Sequence, residues 1–394
     1  MSGTPEVKGR LFFAHENDVV YSKIDARNGA IGIVPETMPR VAFSSEYPIY
    51  AVDATFALPE YVKLLFRMSS FRERINSLIS GASGRKRVEP STLESIEVPL
   101  PPLATQRAIV AHWRAAQESL AATAQANDAH EADIRRNFLE ALGLSERAQT
   151  ITRRAFALRW TEIERWSLGF IRQSSGDLNP DGGRYPVARL RDVIADLTNG
   201  WSPKCFDRPA DENEWAVLKL GAVSFGSFNE KENKALPPSL APEPALEIKP
   251  GDVLISRANI PRLVGACAHV TATRPRLLLC DKIFRVVPKP KPEILPEYIA
   301  EVMKLSHLRR QIETSVTGSS PTMQNITKPA LLGLRLPLPP LAIQRQLVAE
   351  VTAARARIAA NRAAAAKLTV DTAREVEEMI LGVRPVPPTK KYRS

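Results

Sequence analysis

Cysteine is scarce in this sequence. Its 394 residues contain three, Cys205, Cys267 and Cys280, an odd number without any Cys-x-x-Cys spacing. Neither a disulfide framework nor a zinc site is expected, and the thiols read as ordinary core or near-surface residues. No apolar run approaches the ~20 residues that cross a bilayer, and the opening MSGTPEVKGR lacks the apolar stretch of a secretory signal. These absences predict a soluble, cytoplasmic protein without a membrane partner.

Catalytic signatures are missing too. No Gly-x-x-x-x-Gly-Lys-Ser/Thr phosphate loop is present, so no ATP-driven motor is encoded. Asn179-Pro180-Asp181-Gly182 has neither the second proline nor the aromatic residue that would stack on a flipped base, and reads as a turn. Glu247-Ile248-Lys249 has the Glu-x-Lys spacing some nucleases use around Mg²⁺, but it borders a proline-rich loop and has no upstream aspartate partner. His15, His112, His130, His269 and His307 form no ligand-like or triad-like set. No catalytic residue, metal site or cofactor site is therefore expected on this chain.

What is present is length, positive charge and a duplication. The chain exceeds the size at which one core keeps growing, so at least two domains are expected, and its 44% hydrophobic residues can fill them. Lysine and arginine number 54 against 43 acids, a net charge of +11, with a pI near 9.6. That balance favours a polyanionic partner, either nucleic acid or an anionic membrane surface.

The duplication is explicit. Pro99-Leu100-Pro101-Pro102-Leu103-Ala104-Thr105-Gln106-Arg107 recurs as Pro337-Leu338-Pro339-Pro340-Leu341-Ala342-Ile343-Gln344-Arg345, with a single Thr/Ile change. Upstream, Asp18-Val19-Val20-Tyr21-Ser22-Lys23 parallels Asp252-Val253-Leu254-Ile255-Ser256-Arg257. Between these anchors lie helical-looking stretches, Leu58–Ile79 and Leu295–Ile312, each followed by a Gly/Ser loop beginning at Gly81 or Gly318. The interval between anchors differs slightly, as small loop insertions would produce. A period this long means two copies of a whole domain plus its connector.

After each proline hinge comes an alanine-rich segment with helical character, reaching Gly143 in the first copy and Gly382 in the second. Each predicts a rod of roughly 55 Å at about 1.5 Å per residue. Ile109, Trp113, Ala116, Leu120, Thr123, Asn127, His130 and Ile134 follow alternating spacings of three and four. Leu347, Val351, Ala354, Ile358, Asn361, Ala365, Leu368 and Thr372 supply the matching set. Such narrow seams predict that the two helices pack as a coiled coil, with Asn127, His130 and Asn361 fixing register. If antiparallel, they would build a fixed separation between the two domains.

The predicted fold class is α/β (α+β). Boundaries read as a partial domain over 1–98, hinge and helix over 99–143, a linker over 144–183, a complete domain over 184–336, hinge and helix over 337–382 and a tail over 383–394. Val187–Val193, Trp215–Leu220, Asp252–Ser256 and Ile283–Val287 read as strands or short helix plus strand, and Leu295–Thr314 as a helix. By the repeat alignment, the first copy lacks roughly fifty residues of the second copy's opening. It reads as N-terminally truncated, or as completed by another chain.

A domain, then Pro-Leu-Pro-Pro-Leu-Ala-x-Gln-Arg and a long helix, then both again, resembles the specificity subunit of type I restriction-modification systems. Leu190-x-Asp192-Val193 followed by Asn199-Gly200-Trp201-Ser202-Pro203 resembles the opening of that family's target-recognition domains. The resemblance covers nearly the whole chain. It implies two target-recognition domains, each reading half of a split double-stranded DNA site, and two conserved helices packed as an antiparallel coiled coil. It also implies docking of two methyltransferase subunits and of restriction subunits, with S-adenosylmethionine, ATP and Mg²⁺ used on those partners.

Reading DNA requires cations that position the backbone and forked or amide side chains that reach base edges. Family position points in the complete copy to Lys204, then Arg257, Asn259 and Arg262, then Ser319, Ser320, Thr322, Gln324 and Asn325. Their counterparts in the first copy are Lys23, Arg27 and Asn28, then Arg85, Lys86 and Arg87. Arg107, Arg114, Arg135, Arg136, Arg345, Arg355, Arg357 and Arg362 on the helices read first as solvated charge. Two other functions stay open: a coiled-coil interaction protein without sequence preference, and a nuclease relying on Glu247 and Lys249. A truncated, non-functional specificity subunit is a third reading.

Overall fold

The computed structural model describes residues 10–78, 87–144, 183–317 and 323–387, with the Arg27 side chain left aside. They divide into two compact units, one from residues 1–128 with 358–394, the other from residues 129–357.

In the first unit, the strands are β1 (Leu11–His15), β2 (Val19–Tyr21), β3 (Ile31–Ile33), β4 (Arg40–Ser44) and β5 (Ile49–Tyr50). β1 pairs antiparallel with β4, and β2 lies between β3 and β5. Helices α1 (Pro59–Leu65), α2 (Ser69–Leu78) and α3 (Pro90–Glu94) follow. Then comes α4 (Leu103–Ala141), which contributes its first part to this unit. Tyr21, Tyr61, Leu64, Phe71 and Ile75 pack with Ile109 and Val110 of α4 into one core.

The second unit contains β6 (Val187–Arg189), α5 (Leu190–Val193), β7 (Ile194–Asn199) and β8 (Ala216–Leu218), then β9 (Val223–Ser224), β10 (Ser227–Phe228) and β11 (Asn233–Ala235). β12 (Val253–Ser256), β13 (Ala258–Asn259), β14 (Cys267–His269), β15 (Leu277–Leu278) and β16 (Ile283–Pro288) come next. α6 (Pro296–Val302), α7 (Ser306–Ser315), β17 (Gln324–Asn325), α8 (Lys328–Leu332) and β18 (Arg335–Pro337) lead into α9 (Leu341–Ile380).

An antiparallel sheet in the order β14-β12-β16-β7 is the frame of this unit. All four residues of β12 are buried because both sheet faces are covered. With the two-residue period of a strand, Val253 and Ile255 point into a core shared with the helices, including Tyr298, Val302, Leu308 and Ile312. Leu254 points the other way, into a second core with Val217, Leu218, Leu277 and Ile283. The continuous Val-Leu-Ile run in the sequence is thus a strand buried on both sides.

The proline-rich hinge owes its repetition to a side chain that the proline pattern hides. Gln344 is completely buried. Its Oε1 accepts the Leu295 amide at 2.8 Å. Its Nε2 donates to the Glu293 carbonyl at 2.9 Å and to the Pro339 carbonyl at 2.8 Å. Gln106, equally buried, makes the same three bonds, accepting the Leu58 amide at 2.9 Å and donating to the carbonyls of Phe56 and Pro101, each at 2.8 Å. Tyr61 and Tyr298 complete the match, their hydroxyls donating to Pro99 and Pro337 at 2.9 Å. Each glutamine ties the entry of an earlier helix, α1 or α6, to the start of a long one, pairing the amide at that helix's N-terminus and two loop carbonyls.

Both long helices end as their glycines predict, with Gly143 at φ 70° and Gly382 at φ 74°. Within the first unit α4 and α9 run antiparallel: His112 meets Glu375 at 3.0 Å, and Asn361 donates to Asn127 at 3.1 Å. That asparagine pair sits on the predicted seam, where it fixes register. The second-copy seam residues are all buried or half-buried, whereas His130 of the first set is exposed and takes no part. The two predicted helices between the anchors are each broken in two, α1 and α2 in one unit, α6 and α7 in the other. The breaks turn Met68 and Leu305 into the core, 6% and 3% exposed.

Candidate nucleic-acid interface

In the second unit, segments distant in sequence meet at the end of β12. The turn after β7 is built around Gly200, whose amide donates to Cys280 O at 3.1 Å, followed by Trp201 donating to Leu279 O at 3.1 Å. A Cβ on Gly200 would lie 1.8 Å from Leu279 O, so only glycine admits this approach. Trp201 packs on the second core. Ser202 is hydrogen-bonded to Asp281, and exposed Lys204 follows. Burial pushes the adjacent Cys280 thiol up to about 11, which keeps it neutral.

Arg257 leaves β12 beside this turn. Its amide donates to Lys282 O at 2.9 Å, and its guanidinium donates to Asp281 O at 3.4 Å and lies 5.6 Å from the Phe284 ring. The next residues form β13, which pairs with β17 so that Ala258 faces Asn325 and Asn259 faces Gln324. The two clusters read separately from the sequence are therefore one surface. Asn259 is 7% exposed. Its carboxamide is used within the turn, donating to Ser256 Oγ at 3.1 Å and accepting the Ile260 amide at 2.9 Å. Arg262 and Asn325 are exposed and Gln324 half-buried. Ser319, Ser320 and Thr322 lie outside the described residues.

Sequence reasoning missed Lys282 and Met323. Lys282 is exposed beside Asp281, at 3.5 Å, and Met323 is exposed next to Gln324. Lys282 had one available signal, its place just before β16, which pairs with β12 where that strand runs into Arg257.

The first unit repeats the backbone of this site. Val88 donates to Lys23 O at 2.7 Å, as Ile326 donates to Arg257 O at 2.9 Å. The side chains differ in being paired internally. Lys23 meets Glu89 at 3.3 Å and Arg87 meets Glu46 at 3.1 Å, and exposed Asn28 donates to Asp25 at 3.4 Å. Arg85 and Lys86 lie outside the described residues, as does the Arg27 side chain.

Several of the remaining candidates have partners within the chain. Glu247 accepts the Arg276 amide at 2.6 Å, and Lys249 is exposed with its amide on Asp252. Arg114, Arg136 and Arg355 are paired with Glu60, Asp133 and Glu301. Among the described residues no group of three His, Cys, Asp or Glu is arranged to hold a metal ion, and no helix is long and apolar enough to cross a membrane.

No family model matches the chain. Over 166 residues, 41% of its length, it is 34% identical to the type I restriction enzyme EcoEI specificity subunit of Escherichia coli, of which the match spans 27%. It is 22% identical over 287 residues to the EcoKI specificity subunit of Escherichia coli strain K12, covering 72% of this chain and 56% of that subunit. Its fold is shared, at a TM-score of 0.56 and 18% identity, with a chain from a solved structure of a type I restriction-modification system. That match covers 93% of this chain and 82% of the other. The chain thus spans about a quarter to a half of the specificity subunits it is similar to in sequence, and over nearly all its length it shares a fold with the solved type I restriction-modification chain.

Proposed function

We propose that this chain is the DNA-recognition subunit of a type I restriction-modification complex, reading a bipartite site and directing two methyltransferase subunits and the restriction subunits to it. The observation that carries the reading is the joining of Arg257, Gln324 and Asn325 through the β13–β17 pairing, beside the turn that leads into Lys204. The surface combines exposed cations for phosphates with a guanidinium and carboxamides of the type that discriminate base edges. In this reading Lys204, Arg262 and Lys282 face DNA, Gln324 and Asn325 reach for bases, and Asn259 shapes the turn from within.

The chain supplies no bond-making residue; S-adenosylmethionine, ATP and Mg²⁺ act on the partner subunits. The half-site read by the first unit is the weaker, because Lys23 and Arg87 are held by Glu89 and Glu46. Mapping methylated adenines genome-wide with and without the gene tests this. Loss of a bipartite motif on deletion is expected. An unchanged methylation pattern refutes the proposal, and a motif with one defined half assigns that half to the second unit.

A further inference from the structure

Residues 279–282, between β15 and β16, form a backbone crossing beneath the candidate surface of the second unit. On one side their carbonyls accept the amides of Gly200 and Trp201; on the other, Lys282 O accepts the amides of Arg257 and Ala258 at 2.9 and 3.4 Å. Asp281 lies between these two attachments and bonds to both. Its amide donates to Ser202 Oγ at 3.3 Å, and its carboxylate accepts the Ser202 hydroxyl in return. Its carbonyl accepts the Arg257 guanidinium at 3.4 Å, and Lys282 Nζ stands 3.5 Å from its second carboxylate oxygen. One residue therefore couples the turn that leads into Lys204, the guanidinium that leaves β12 and the ammonium of Lys282.

The local fold needs the acceptor but not the charge. An asparagine carbonyl would accept the Ser202 hydroxyl as well. The ion pair with Lys282 has side chains 46% and 34% exposed, and such pairs contribute little to stability. Toward a polyanion the charge has a cost, because it offsets one cation of the surface. That cost falls unevenly on different DNA sequences. Binding to unrelated sequence is almost wholly counterion release, so a carboxylate among the cations weakens it directly. On a matching sequence the same oxygens can accept an exocyclic amino group, as aspartate does from cytosine, which offsets the cost.

We infer that Asp281 is a specificity-determining residue of this surface: it positions Ser202 and Lys282, and its charge penalises DNA of the wrong sequence. The inference rests on the reading of the surface as DNA-facing. Discrimination grows as much by weakening the wrong partner as by strengthening the right one, and a charge left unpaired against the wrong partner does the former. Ser202 and Asp281 hold each other by two reciprocal bonds, so the carboxylate keeps a fixed place beside Lys282.

The test titrates the full chain, at several salt concentrations, with a duplex carrying the motif found by methylation mapping and with one in which that motif is scrambled. Asp281→Asn keeps the acceptor for Ser202 and removes the charge. It is expected to steepen the salt dependence on the scrambled duplex by about 0.9, one counterion, which amounts to about fivefold tighter binding at roughly 0.15 M salt relative to about 1 M. Affinity for the motif should change less than about twofold, so the ratio of the two falls about threefold or more. Asp281→Glu restores the charge and should return the wild-type salt dependence. Ser202→Ala keeps the charge but frees the turn, and should weaken binding to the motif while leaving the scrambled duplex unaffected. Amide exchange at Gly200 and in β12 reports the fold of each variant. An Asp281→Asn chain with unchanged salt dependence on the scrambled duplex overturns the inference. So does equal weakening on both duplexes with faster exchange at Gly200, which would make Asp281 a purely structural residue. A wild-type chain that binds both duplexes alike refutes the DNA-reading proposal itself, and the inference with it.

Discussion

Replacing Gln344 with leucine keeps roughly the side-chain volume and deletes all three hydrogen bonds of that side chain. The leucine leaves the Leu295 amide and the Glu293 and Pro339 carbonyls without the partners they have at 2.8, 2.9 and 2.8 Å. A buried backbone group left unpaired costs about 1–3 kcal/mol, so three of them cost about 3–6 kcal/mol after partial rehydration. That is a large share of the about 5–15 kcal/mol that stabilises a domain. The start of α6 should therefore open locally, with exchange at Leu295 accelerated at least a hundredfold, since about 2.8 kcal/mol corresponds to that factor. Gln344→Glu sharpens the argument. The introduced carboxylate still accepts the Leu295 amide but faces two carbonyls, so burial and repulsion raise its pKa above the unfolded value of about 4.3. A raised carboxyl pKa makes folding favour the protonated form, so the penalty relative to wild type is small below about pH 4 and grows as pH rises through the folded value. A Gln344→Leu loss under about 1 kcal/mol by urea denaturation, or a Gln344→Glu penalty flat from pH 4 to 8, would refute the locking role of this side chain.

Gln106→Leu should produce the same loss in the first unit, read by exchange at Leu58, because its three bonds are equivalent. At Glu377, burial pushes the carboxyl up, but hydrogen bonds from Ser70 and Ser69 outweigh it and hold the pKa at about 2. Its contribution is therefore full above the unfolded value of about 4.3 and lost as pH falls toward 2; Glu377→Gln should flatten that acid limb of first-unit stability and cost about 1–2 kcal/mol at pH 7. Lys204→Ala should weaken DNA binding uniformly across sequences and lower the salt dependence by about one counterion, whereas Gln324→Ala should cost about 1–3 kcal/mol on the cognate site alone, both measured by titration at several salt concentrations. Gly200→Ala should displace the turn that carries Lys204, because the new Cβ would overlap Leu279 O; lost binding with β12 exchange unchanged is the expected signature.

What the sequence revealed and what it hid follow from the range of each interaction. The duplication, the long helices and their terminal glycines are local patterns, and the structure contains all three. The Asn127–Asn361 contact was foreseeable because heptad spacing makes a long-range pairing periodic. The glutamine lock was not, since its partners at Leu295 and Glu293 lie about fifty residues away and are backbone groups that any residue offers. The same reasoning explains the candidate surface. Arg257 and Gln324 were each identifiable as candidates, but only the β13–β17 pairing joins them, and two-residue strands leave no periodic trace. The burial of Asn259 follows from that pairing too, so a polar residue in the right loop becomes part of the support for the surface. If the surface reads DNA, its specificity is divided between side chains that face outward and a backbone crossing that aims them. Exchanging the exposed residues alone should then relax the target, whereas transplanting the β13–β17 segment together with the Gly200 turn should transfer it.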